Sequence, residues 1–204
     1  MNKLSAIDQG EVSTTRLEAL TDGIFAVAMT LLVFEIRLPE TGQTGDVLGY
    51  VIKLWPNFLS FVISFIVLGM FWVGHHTEFR YVKRLDHTLI WLNIFYLLFI
   101  SLVPFSAGLL GRYASTEGAI MIYGIHLIIL VLVQYIIWRH ARSNNLIDPL
   151  MDPQINIVAN RLGYFAIAGY VGAILLSFIN WRISLGIYTL IPIPYILGIF
   201  YRVK

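Results

Sequence analysis

The chain has 204 residues, 58% of them hydrophobic and 13% charged, with a mean hydropathy of +0.76 and a formal charge of +2. So little polar surface cannot cover a water-soluble globule of this size, and a near-neutral charge points to no nucleic-acid partner. The lack of cysteine excludes disulfides, thiolate metal sites and cysteine nucleophiles.

Crossing about 30 Å of hydrocarbon takes about 20 mainly apolar residues. Such stretches fall at 17–36, 54–78, 89–110, 119–138, 162–179 and 183–201. They predict an all-α membrane protein with about six transmembrane helices in one domain over residues 1–204. Almost no chain is left for a soluble catalytic domain. No P-loop, dinucleotide fingerprint or nucleophile elbow occurs, so an enzyme is not expected. The polar stretch from Met1 to Glu11 lacks the apolar core of a cleavable signal, which predicts that the first span stays as an anchor.

The first span carries charge into the membrane, in the run Arg16-Leu-Glu-Ala-Leu20-Thr21-Asp22. An ionisable group inside lipid is costly unless paired or wetted, so Asp22 marks a functional or assembly site. Further along, Val27, Leu31 and Phe34 fall on one stripe at 100° per residue, with Thr30 at its edge and Asp22 on the other side. Periodicity alone favours lipid contact or ordinary packing for that stripe and does not identify a channel. The hydroxyl of Thr30 suits a bond to the carbonyl of Ala26 one turn earlier, as is common in membrane helices.

The second span ends with Trp72, His75, His76 and Glu78, and the third passes through Asn93 about two turns after Asp86. With adjacent spans antiparallel, these groups reach the same depth as Asp22, which lies about 9 Å along its helix from Arg16. An Asp, an indole N–H, imidazoles and an Asn amide can satisfy one another there, where an unpartnered group costs several kcal/mol. Such a network either staples the first three helices together or serves as an ion or proton site. A metal site at His75, His76 and Glu78 is a poor fit, because adjacent histidines diverge by about 100° and a third ligand on one face is missing. Pro104, Pro192 and Pro194 predict static kinks in membrane helices, and the stretch from Asn144 to Pro153 reads as a loop with caps.

Six spans put both termini on one side. That side then holds Lys3, Arg16, Arg80, Lys83, Arg84, Arg139, Arg142, Arg161, Arg202 and Lys204, against Arg37, Lys53, Arg112 and Arg182 on the other. The positive-inside rule assigns both termini to the cytoplasm of a multi-pass protein in the cell membrane. Trp55, Tyr81, Trp91, Trp138, Tyr164, Trp181 and Tyr201 suit interfacial anchoring.

The run from Arg16 through Thr21-Asp22-Gly23-Ile24-Phe25-Ala26-Val27-Ala28-Met29-Thr30-Leu31-Leu32 resembles the signature helix of the bacterial relatives of transmembrane protein 175, the lysosomal potassium channel. The family motif is Arg-x-x-x-Phe-Ser-Asp-Gly followed by Phe-Ala-Ile-Ala-x-Thr-Leu-Leu. Here Leu20 replaces the aromatic residue and Thr21 keeps the hydroxyl. Phe71-Trp72-x-x-His75-x-x-x-Phe79, Trp91-Leu92-Asn93 and Val103-Pro104-Phe105-Ser106 extend the likeness across the first three spans.

The resemblance implies a six-helix subunit whose first helix lines the central pore of a homotetramer embedded in membrane lipid and permeable to potassium ions, with no cofactor. By position it places the hydrophobic constriction on Val27, Leu31 and Phe34 and the threonine layer on Thr30. It makes Arg16, Thr21, Asp22, Trp72, His75, His76 and Asn93 a structural network. Phe34 stands where the family usually has Leu or Ile.

No Thr-Val-Gly-Tyr-Gly loop and no arginine-repeat helix is present, so selectivity falls to side chains and a dewettable constriction, with a modest preference for potassium over sodium. The alternative class is a proton-coupled secondary transporter using Asp22 and His75.

Overall fold

The computed structural model describes residues 13–36 and 47–198. Lys3, Arg37, Tyr201, Arg202 and Lys204, which enter the charge and anchoring arguments, lie outside them.

The described chain is helical: α1 (Thr14–Leu31), a 3-10 continuation over Leu32–Glu35, α2 (Val47–Lys53), α3 (Trp55–Phe79), α4 (His87–Arg112), α5 (Glu117–Ser143), α6 (Pro153–Ser177), α7 (Trp181–Leu190) and α8 (Ile193–Ile196). Among the described residues, five helices are long and apolar enough to cross a membrane: α1 with its 3-10 end, α3, α4, α5 and α6. All backbone polar groups within lipid must be satisfied internally, which is why a chain this apolar folds into helices.

Two predicted spans differ from the structure. The span expected at 162–179 begins at Pro153, where the Asp152 side chain accepts a hydrogen bond from the Gln154 N–H at 2.8 Å. Proline at the first helical position lacks only an N–H that would be orphaned anyway, so the Asp-Pro pair read as loop is a helix start. The span expected at 183–201 is broken into α7, of 10 residues, and α8, of 4. Pro192 separates them and Pro194 opens α8, because a proline removes a helical donor and clashes with the preceding turn. These prolines interrupt the helix where a kink was predicted; residues 199–201 of that span lie outside the described residues.

Helix α4 is the centre of the bundle and packs against α1, α3 and α5; α6 packs on α5 and α7. Its start is capped by Asp86, whose Oδ1 accepts from the Leu89 N–H at 2.7 Å. Polar side chains stitch the helices inside the apolar core: Ser60 donates to the Ala107 carbonyl at 2.6 Å, Ser184 to the Ala173 carbonyl at 2.7 Å, and Tyr188 to the Ile120 carbonyl at 2.8 Å. Tyr188 reaches its acceptor across Gly124, where any Cβ would overlap the phenol oxygen.

At one end of the bundle the loops after α3 and α5 join. Val82 and Ile147 form an antiparallel bridge, and the Lys83 N–H donates to the Leu146 carbonyl at 2.8 Å. The Asp148 N–H donates to the Tyr81 carbonyl at 2.7 Å, and Lys83 pairs with Asp148 at 3.5 Å. The reversal is made by Asn145, in the left-handed region at φ 54°, which Asn adopts at low cost. His140 Nε2 meets Asp86 Oδ2 at 2.8 Å in the same region.

Candidate functional site

Helix α1 buries Leu17, Thr21, Phe25 and Ala28 against the bundle, a spacing of one stripe of the helix. The opposite side is left uncovered: Val27 is 54% exposed, Leu31 42% and Phe34 69%. Phe34 sits in the 3-10 continuation, and all three side chains lie off the core stripe. Thr30 is exposed beside them. Its hydroxyl lies 3.0 Å from the Ala26 carbonyl and 2.9 Å from that of Val27, so its single proton is donated within its own helix.

On the covered side, Thr21 is the end of a directional chain. His75 Nε2 lies 2.8 Å from Asn93 Oδ1, Asn93 Nδ2 donates to Thr21 Oγ1 at 3.1 Å, and Thr21 donates to the Leu17 carbonyl at 2.9 Å. Asn93 Oδ1 can only accept, so His75 Nε2 carries the proton. His75 and Asn93 are both buried, and the imidazole is stacked between Phe79 and Tyr96 at ring distances of 4.0 and 5.6 Å. The chain ties α3 and α4 to α1 with every member satisfied.

Asp22 belongs to a second, separate contact. Its Oδ1 accepts from the Trp72 indole N–H at 2.8 Å, and the Trp72 ring stacks on His76 at 5.5 Å. The network expected from depth is therefore two contacts, one buried and one at the exposed face of α1. Arg16 joins neither, and among the described residues it makes no ion pair. His75 and Glu78, considered as metal ligands, diverge toward Asn93 and Gln134 respectively.

Among the contacts that were not anticipated, two are made by glutamates of these helices. At the far end of α1, Glu35 pairs with Arg112 of α4 at 2.8 Å, while the Asn57 side chain reaches the Glu35 carbonyl at 3.5 Å. The Glu35 carboxylate lies over Gly108, where a Cβ would collide with it. The sequence placed Arg112 on the sparsely basic side and gave no partner for Glu35. The second contact is Glu78, whose Oε2 accepts from Gln134 at 3.2 Å; Gln134 in turn accepts from the Tyr96 hydroxyl at 3.3 Å. A carboxylate inside an apolar run was the visible cue.

These features define a multi-pass, all-α membrane protein with a polar-anchored first helix that presents an uncovered apolar stripe. Residues 16–104 match the family model described as the endosomal/lysosomal potassium channel TMEM175. A curated potassium channel of Streptomyces collinus is 31% identical over 88% of this chain and 90% of its own length. One of Chamaesiphon minutus is 32% identical over 95% of this chain and 98% of its own. The fold matches the crystal structure of a lysosomal potassium-selective channel TMEM175 homolog from Chamaesiphon minutus, with a TM-score of 0.80 at 30% identity, over 91% of this chain and 97% of that one. The chain belongs to the TMEM175 family, a family of ion channels rather than enzymes.

Proposed function

We propose that this chain is one subunit of a homotetrameric, potassium-permeable cation channel, with α1 of each copy lining a central pore. Residues 1–204 form the single channel domain, α7 and α8 together serve as the sixth crossing, and both termini face the cytoplasm of the cell membrane. Val27, Leu31 and Phe34 make the dry constriction and Thr30 the selectivity layer. Thr21, Asp22, Trp72, His75 and Asn93 hold α1 in place, with His76 stacked on Trp72. No cofactor takes part, and the permeating ion is potassium.

The observation that carries this reading is the uncovered stripe on α1, more than 40% exposed at each of its three positions, on a helix otherwise fastened to α3 and α4. Four such stripes around an axis would form an apolar ring that water leaves readily, a gate by dewetting. Apolar side chains cannot replace an ion's hydration shell, so preference for potassium over sodium is modest and rests on the four Thr30 hydroxyls. The rival carrier mechanism relays protons between Asp22 and His75. These two sit in separate contacts, and the His75 chain ends on a backbone carbonyl.

The natural absence of cysteine makes the test clean. Single cysteines at Val27, Leu31 and Phe34 are each expected to make potassium current sensitive to a water-soluble thiol reagent, with Leu175→Cys, on the exposed surface of α6, insensitive. Insensitivity at all three stripe positions would assign the stripe to lipid.

A further inference from the structure

A cavity of about 780 Å³ opens between α3, α5 and α6, and none of Val27, Leu31 and Phe34 is among its lining residues. Its origin is a packing gap. Helices α3 and α5 both lean on α4, and the facing positions Gly69, Ala159 and Gly163 carry little or no side chain. The volume lies in the range of sites for small organic ligands. Its walls are mainly apolar and aromatic, with Trp72, Tyr135 and Trp138 among them, and the acidic groups Glu78 and Asp152 also line it. Among the described residues, no Lys, Arg or His lines it.

Glu78 is the informative wall residue. Among the described residues, the one hydrogen bond to its carboxyl comes from Gln134, whose amide is held in that orientation by the Tyr96 hydroxyl. A carboxylate in an apolar wall with no basic neighbour lacks the counter-charge that would offset its desolvation. Aromatic faces attract cations by their quadrupoles, most strongly where water is excluded. An anion would meet two acidic side chains and, among the described residues, no basic one, and a neutral hydrocarbon would leave the carboxyl unanswered.

We propose that this cavity binds lipophilic monocations, onium or amine compounds with an apolar body, with Glu78 as counter-charge and the aromatic rings as the cage. The site is separate from the constriction and does not rest on the channel reading, because its readout is equilibrium binding.

The test uses tetraphenylphosphonium and its charge-reversed isostere tetraphenylborate, with the purified full-length protein in nanodiscs of neutral lipid and protein-free discs as the reference. Saturable binding of the cation, with no saturable binding of the anion, is expected. Glu78→Gln keeps the side-chain shape and should weaken cation binding at least tenfold. Ala159→Trp fills the gap and should abolish it, while Leu175→Ala, exposed on α6 and outside the cavity wall, should leave it unchanged. Equal binding of the two ions, or a Glu78→Gln protein that binds like the wild type, would overturn the proposal. Loss of binding in Leu175→Ala would place the cation on the outer surface of α6 and overturn it as well. Should Ala159→Trp fail to fold, the Glu78→Gln comparison decides alone.

Discussion

Thr30 donates its one proton to its own helix, yet a hydroxyl that donates keeps its lone pairs, and this one lies on the exposed side. Thr30→Val preserves the shape and removes those lone pairs. The expected outcome is a lower potassium-to-sodium permeability ratio with conduction retained, read from the reversal potential under a bi-ionic gradient. An unchanged ratio would leave the hydroxyl to its helix alone. Asn93 gives a stability prediction. Replacing it by Leu leaves the buried His75 N–H without its acceptor, and the expected loss is about 1–3 kcal/mol, measured as a lower melting temperature in detergent. At this scale the residue types of the polar contacts were legible in the sequence, but not their grouping. Thr21 and Asp22 are neighbours on a helix and point about 100° apart, so one faces α4 and the other the Trp72 indole at the exposed edge. A depth argument cannot resolve that angle.

Elements are fixed at their ends as much as along their faces. The Glu35–Arg112 pair clamps the C-terminal end of the first helix to α4, and the Asp86–His140 contact ties α4 to α5 at the other end. For Asp86, partial desolvation pushes the carboxyl up, but the Leu89 N–H and His140 outweigh it and hold the group below its usual value. A depressed folded value means that the contribution is complete above the ordinary carboxylate range and is lost as pH falls through the depressed value. Asp86→Ala should therefore cost about 1 kcal/mol near neutral pH, as a lost helix cap does. Its melting temperature should converge on that of the wild type as pH drops below about 4; a deficit unchanged by acid would assign the effect to packing. The four long helices α1, α3, α4 and α5 were legible from apolar length alone. The start of α6 was not, because Asp152-Pro153 serves a loop and a helix start equally well. The break between α7 and α8 was not, because hydropathy counts Pro192 as one more residue in an apolar run.

Across the whole molecule, the loops rich in Arg80, Lys83 and Arg84 join the loop after Arg139 and Arg142 through paired backbone. Five of the basic residues counted on the richer side thus lie at one physical end of the bundle. The cavity was not legible in the sequence, since a gap between helices is set by which neighbours they share and not by any one helix; of the Glu78 contact, only the carboxylate in an apolar run was visible. Four α1 stripes around an axis would complete what one subunit leaves open. The most direct test is potassium flux into liposomes reconstituted with the purified protein under a potassium gradient, with the membrane potential clamped by a protonophore. The account predicts voltage-driven flux that does not saturate with potassium and that rises in Leu31→Ala, where a smaller ring lowers the dewetting barrier. Saturating flux that requires a counter-substrate, or flux indifferent to both Leu31→Ala and Phe34→Ala, would contradict it.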